Sequence, residues 1–164
     1  ILSGNETSSE LETLTDDIFV YFGMGCRSVS KIFVPLNYDF SELFKAFRKY
    51  DHLKYHNKYA NNYDYRTALF QLNKTDYYNA GNALLIENRS LSSPISVINF
   101  SYYNNLAEVL KFVEENTQNI QCIVSNLTNF ADSISFGSAQ KPLINEYADG
   151  IDAINFLTNL QNRK

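Results

Sequence analysis

The sequence predicts a mixed α/β domain with three layers, in which a mostly parallel sheet is flanked by helices. Short apolar runs, "KIFVP", "ALLIE", "ISVINF" and "IQCIVS", read as strands. In the second half they alternate with helical patterns of about ten residues, the rhythm of βαβ units and parallel pairing. "IQCIVS" is apolar almost throughout, as a strand covered on both faces must be. The 164 residues, with 45% hydrophobic content, suffice for one core, and residues 1–164 read as a single domain.

The first residues, "ILSG", read as the end of a strand entering a turn, so residues before Ile1 are expected to complete the molecule. Thr7 and Glu10 form a capping-box pattern for a short helix from Ser8 to Leu14. Asp16 and Asp17 sit where acidic side chains favour a fresh helix start, followed by Ile18, Tyr21 and Phe22 at helical spacing. Gly23 and Gly25 loosen that helix and place Cys26 at a helix–loop junction. "KIFVP" is a strand closed by Pro35, which lacks the N–H to extend a ladder. Asp39 caps a helix whose stripe is Phe40, Leu43, Phe44 and Phe47.

From Tyr50 to Tyr65 the chain is polar and aromatic, and its tyrosines are expected to pack against a neighbouring domain. Strands follow at Ala83–Glu87 and Ile95–Phe100, then a helix opened by Asn105 with Leu106, Val109, Leu110 and Val113 on one face. After "IQCIVS" and the loop "ISFGSAQKP", a last helix aligns Ala153, Phe156, Leu157 and Leu160.

A net charge of −4 argues against a general binder of nucleic acid or anionic membrane. No apolar run approaches the roughly 20 residues of a membrane span. Two cysteines are no disulfide framework, and no basic start leads into an apolar stretch as in a signal peptide, so a reducing cytoplasm is the expected compartment. Five Asn-x-Ser/Thr triplets are what a chain this rich in asparagine produces by chance. His52 and His56 are four apart, but nothing completes a metal-ligand pattern around them.

Cys26 is flanked by Gly25 and Arg27, with Lys31 close behind. A thiol attacks as thiolate, and bringing a thiol pKa to about 7 takes roughly 2 kcal/mol of differential stabilisation. A helix end supplies about 0.3–1 kcal/mol of that, which leaves a role for Arg27 and Lys31 as thiolate support. Gly23 and Gly25 let backbone N–H groups approach a reacting carbonyl, as an oxyanion site requires. The competing reading makes Cys26 a small buried hydrophobe beside glycines that merely end a helix. A Cys26–His pair for hydrolysis is a further alternative, since sequence does not show spatial adjacency. Cys122 sits mid-strand among apolar neighbours and reads as a structural cysteine.

"GMGCRSVSKIFV" resembles the active-site segment of the aldehyde dehydrogenase superfamily, Gly-Gln-x-Cys-x-x-x-x-Arg-Val-x-Val. Cys26 falls on its nucleophile and Lys31 on its arginine. "SLSSPISVINFSYYNNLAEVLKFVEE" resembles the segment Glu-Ile-Phe-Gly-Pro-Val-x-x-Val with the helix after it, Pro94 falling on the proline. "SISFGSAQKP" resembles the Pro-Phe-Gly-Gly loop, matched at Phe136 and Gly137. The nearer resemblance is to a branch, the LuxC-type acyl-CoA reductases, through "DDIFVYFGMGCRSVSK", "HNKYANNYDY", "SLSSPISV" and "FGSAQKPLINEYADGID".

That resemblance implies an aldehyde-dehydrogenase-like catalytic domain. It implies reduction of an acyl-CoA to a fatty aldehyde with NADPH, through a thioester on Cys26, with Ser90, Pro94, Phe136 and Gly137 near the cofactor. Ile1 stands where the family has its general-base glutamate, and losing a hydrolytic base suits a reductase. Glu6 is a substitute candidate for that base. Ser90 stands in place of the ribose-binding glutamate. The family's dinucleotide-binding domain lies mainly upstream of the cysteine, and no Gly-rich phosphate turn occurs here. The chain is therefore expected to be a fragment that binds NADPH weakly, does not turn over alone, and can self-associate through aromatic surfaces left bare. A CoA-acylating or ordinary aldehyde dehydrogenase domain, or a non-catalytic interaction domain of the same fold, are the alternatives.

Overall fold

A computed structural model describes residues 1–130, 133–143, 147 and 151–161. The expected residues 144–146 and 148–150 of the last motif, and the side chain of Leu160, lie outside the described residues.

The first helix, α1 (Ser8–Phe19), opens on the expected capping box: the Glu10 N–H donates to Thr7 Oγ1, and the Thr7 N–H donates to Glu10. It runs unbroken where a second start was expected at Asp16. The two aspartates are not caps. Asp16 accepts from Lys49 Nζ at 2.5 Å and from the Tyr50 hydroxyl at 2.8 Å, while Asp17 is fully buried and turned toward another loop.

Strand β1 (Lys31–Pro35) has the predicted bounds. Helix α2 (Ser41–Phe47) buries Leu43, Ala46 and Phe47, and Asp39 Oδ1 accepts from the Ser41 N–H at 2.9 Å. Helix α3 (Asn57–Leu72) occupies the polar, tyrosine-rich stretch and buries only Tyr59 and Phe70. Some tyrosines expected to face a neighbour bond within the chain instead. The Tyr59 hydroxyl donates to the Asn82 carbonyl at 2.8 Å, and the Tyr63 hydroxyl donates to Asn79 Oδ1 at 2.6 Å. Tyr55 and Tyr65 remain exposed.

Strands β2 (Tyr78–Asn79), β3 (Leu84–Glu87) and β4 (Val97–Tyr103) join β1 in a four-stranded sheet of order β1-β4-β3-β2. The β1–β4 and β3–β4 pairs are parallel, and only the edge strand β2 is antiparallel. The fold is thus mixed α/β with a mostly parallel sheet. Helix α4 (Leu106–Glu115) is capped by Asn105, whose Oδ1 accepts from the Glu108 N–H. Beyond it, β5 (Ile123–Val124) and β6 (Ser133–Ile134) form a two-stranded parallel sheet, so "IQCIVS" yields a shorter strand than expected. The final helix, α5 (Ala153–Gln161), leaves Ile154, Phe156 and Leu157 exposed.

The opening residues link the two sheets. The Ile1 nitrogen donates to the Val124 carbonyl at 2.8 Å, and the Leu2 N–H donates to the Phe33 carbonyl at 2.9 Å. The Leu2 carbonyl in turn accepts from the Tyr103 hydroxyl at 2.7 Å, so this buried acceptor is satisfied. No helix among the described residues is long and apolar enough to cross a membrane.

Candidate functional site

The route to Cys26 begins at the C-terminus of α1. Val20 turns extended, and the next three residues adopt left-handed backbone: Tyr21 (φ 57°), Phe22 (φ 61°) and Gly23 (φ 69°). Bulky side chains rarely adopt this region, and such strain concentrates where surroundings fix a functional loop. Phe22 packs its ring against His56 at a tilt of 35°, with centroids 4.4 Å apart. Gly23 is required here, since a Cβ would lie 3.1 Å from the Ile18 carbonyl in a conformation L side chains resist.

A tight turn follows, closed by the Ser28 N–H donating to Gly25 O at 2.9 Å. Cys26 and Arg27 are its two central residues. The Cys26 thiol is exposed and Arg27 is half-buried. Both line a cleft of about 170 Å³, together with Lys31, Cys122 and an apolar wall that includes Ile32 and Val113. Cys122 precedes β5 and is half-buried, so it is not the enclosed core thiol expected of a mid-strand position. Its Sγ lies 3.9 Å from the Arg27 carbonyl oxygen.

The other expected site residues scatter. Gly25 donates its N–H to Ser28 Oγ at 3.1 Å, so that donor is engaged inside the turn and is not presented to an acyl oxygen. Lys31 lines the cleft, but its Nζ donates to the Asn88 carbonyl and to Ser101 Oγ and lies 5.1 Å from the Phe33 ring centroid. Ser90 is exposed on the loop after β3, where Asn99 Nδ2 donates to its carbonyl at 3.0 Å. Pro94, also exposed, lines a separate cavity of about 20 Å³ with Phe22 and Gly23. Phe136 is buried in the main core, and the Gly137 N–H donates to Asp17. Glu6 is engaged by Ser3 Oγ at 2.7 Å and the Gly4 N–H at 3.1 Å. Among the described residues, no cluster of three or more His, Cys, Asp or Glu side chains suits a metal ion.

Three supports of the turn were not foreseen. Ser28 Oγ accepts from Gln140 Nε2 at 3.3 Å, which ties the turn to the loop after β6. That loop is fixed by Asp17, which accepts from the Gly137 and Ala139 N–H groups at 2.6 and 2.9 Å. Burial pushes the Asp17 carboxyl above its usual range despite both donors. On the other side, Ser30 Oγ donates to the Leu91 carbonyl at 2.7 Å and holds the 88–94 loop over the cleft. Only the adjacent pair "DD" hinted at the Asp17 role, and it reads equally as a helix start.

Burial lowers the Lys31 ammonium from its usual 10.5 to about 8. Between those values the unfolded chain binds more protons, so Lys31 makes stability rise with pH from about 8 toward 10.5. Burial raises Tyr102 from 10.0 to about 12, which makes stability fall once pH exceeds 10.0. Urea midpoints should therefore climb above about pH 8 and turn down past the tyrosine range, and Lys31→Met should flatten the climb. An unchanged climb in Lys31→Met would assign it to other groups.

The structure thus defines a mixed α/β chain with an exposed thiol on a braced turn at the mouth of a cleft. No family model, curated protein or solved structure matches the chain.

Proposed function

We propose that the chain is the thiol-bearing catalytic part of an acyl-CoA reductase of LuxC type, with an aldehyde-dehydrogenase-like three-layer fold, and that Cys26 carries the acyl group. The observation that carries this reading is the placement of Cys26: exposed, central in a braced turn, and opening on a cleft with one apolar wall. In the step proposed, the Cys26 thiolate attacks the acyl carbonyl carbon, the carbon–sulfur bond to CoA breaks, and CoA leaves as its thiolate. The acyl group remains as a thioester on Cys26. Arg27, the residue after Cys26, lines the same cleft.

A cleft of about 170 Å³ is smaller than the roughly 300–1,000 Å³ of ordinary small-molecule sites. It suits the thioester end of an acyl chain and not a whole acyl-CoA. NADPH is the reductant the resemblance implies. The residues assigned to it make no dinucleotide site by themselves: Phe136 is in the core, Gly137 is bound to Asp17, and Ser90 and Pro94 lie outside the thiol cleft. The chemistry that this chain's own residues carry ends at the thioester.

Incubation with a fatty acyl-CoA tests the reading. One acyl group should add per chain, Cys26→Ala should abolish the addition, and Cys122→Ala should leave it intact. Equal labelling of both single-cysteine variants would remove the distinction on which the proposal stands.

A further inference from the structure

The chain has two cysteines, 96 positions apart in sequence, and both line one cleft. Cys122 Sγ lies 3.9 Å from the carbonyl oxygen of Arg27, the residue bonded to Cys26. Cys26 sits in a two-residue turn tip whose hydrogen bonds, from the Gly25 and Ser28 N–H groups, fix the turn's base and leave the thiol's own side-chain torsion unbound. A disulfide needs Cβ atoms about 3.5–4.5 Å apart, so the exposed turn that carries Cys26 must close on Cys122 for the bond to form. Cys122 is half-buried and lines the cleft wall, on the same cleft as the exposed Cys26 thiol.

We propose that Cys26 and Cys122 form a reversible intramolecular disulfide when the protein meets a peroxide, and that this bond closes the cleft. The Cys26 thiolate attacks one peroxide oxygen, and the O–O bond breaks. Cys26 becomes a sulfenic acid, and the second oxygen leaves as water or alcohol. The Cys122 sulfur then attacks the Cys26 sulfur, the S–O bond breaks, and water leaves as the disulfide forms. Two thiols are oxidised and one peroxide is reduced. A dithiol reductant reverses the bond by exchange, as suits a transient disulfide in a reducing compartment. The inference rests on the reading of Cys26 as the reactive thiol, but its readout does not require acyl transfer.

Treatment with hydrogen peroxide, then digestion without reductant, should yield a linked pair of peptides containing Cys26 and Cys122. Their summed mass should be lower by the two lost thiol hydrogens, and dithiothreitol should separate them. Cys122→Ser, a near-isosteric change, should instead accumulate a sulfenic acid on Cys26 that dimedone traps. Acyl labelling of the oxidised wild type should be lost and should return on reduction. A dimedone adduct on wild-type Cys26 with no linked peptide would overturn the proposal, as would links only between molecules or no reaction of either thiol. Linked peptides from a protein that takes no acyl group would uphold this inference and sink the acyl reading; acyl transfer without linkage would do the reverse.

Discussion

Asp17→Ala should lower the stability of the fold by about 2–5 kcal/mol, read as a shift in the urea midpoint. Asp17 is fully buried, and its two carboxylate oxygens take the N–H groups of Gly137 and Ala139. Alanine leaves both donors buried without an acceptor, each at a cost of about 1–3 kcal/mol. Burial raises the carboxyl pKa, while the Gly137 and Ala139 N–H groups act to lower it. Asp17→Asn keeps the shape but can accept only one of the two N–H groups, and its amide would face the other; its loss should be smaller than that of alanine but still clear. Gly137 is also close-packed, since a Cβ there would lie 3.0 Å from Thr13 Cβ. The effect should reach the cleft. Through Gln140 the freed loop loses its hold on Ser28, so acyl labelling of Cys26 should slow in the variant even under folded conditions. Labelling at the wild-type rate would show that the brace serves stability alone.

Phe47→Ala should cost about 3–5 kcal/mol, the usual range for emptying a fully buried aromatic site. Phe47 has no exposed surface. Its ring meets Phe19 edge-on at 4.8 Å between centroids, and Phe44 lies at 6.2 Å. The contact joins α1 to α2, and Asn82 Nδ2 donates to the Phe47 carbonyl at 2.7 Å from the β2–β3 side. Neighbouring rings are too rigid to collapse into the space, so most of the cavity should persist. Phe47→Leu should recover much of the loss. A midpoint in Phe47→Ala within error of wild type would mean that this cluster does not join the helices as described.

Local chemistry made much of the scaffold readable. "KIFVP" ends at Pro35 in sequence and in structure, and the Thr7–Glu10 and Asn105 caps begin helices where the side chains demand them. Helix α3 escaped because it has almost no apolar face: only Tyr59 and Phe70 are buried in its length, and hydroxyl bonds to Asn82 and Asn79 replace a stripe. "IQCIVS" looked like a long strand because apolar content does not report where pairing ends. Among the described residues, its partner β6 pairs with Ile123 and Val124.

The site was legible at one residue. Glycines, a helix end and Arg27 mark Cys26 locally. Cys122, Gln140 and Asp17 reach the turn across long stretches of chain, through the Ile1–Leu2 link and the loop after β6, and no spacing rule carries that information. Lys31 shows the opposite limit. Its position in β1 was plain, but its ammonium is held by Asn88 and Ser101, partners that the parallel pairings of β1 and β3 with β4 bring near.

The most direct measurement is site-resolved mass analysis of the reduced protein after brief exposure to a fatty acyl-CoA. The peptide containing Cys26 should gain the mass of one acyl group, hydroxylamine should remove it as a thioester, and the peptide containing Cys122 should be unchanged. An acyl group found on Cys122, or on neither thiol while an alkylating reagent still reaches Cys26, would contradict the account.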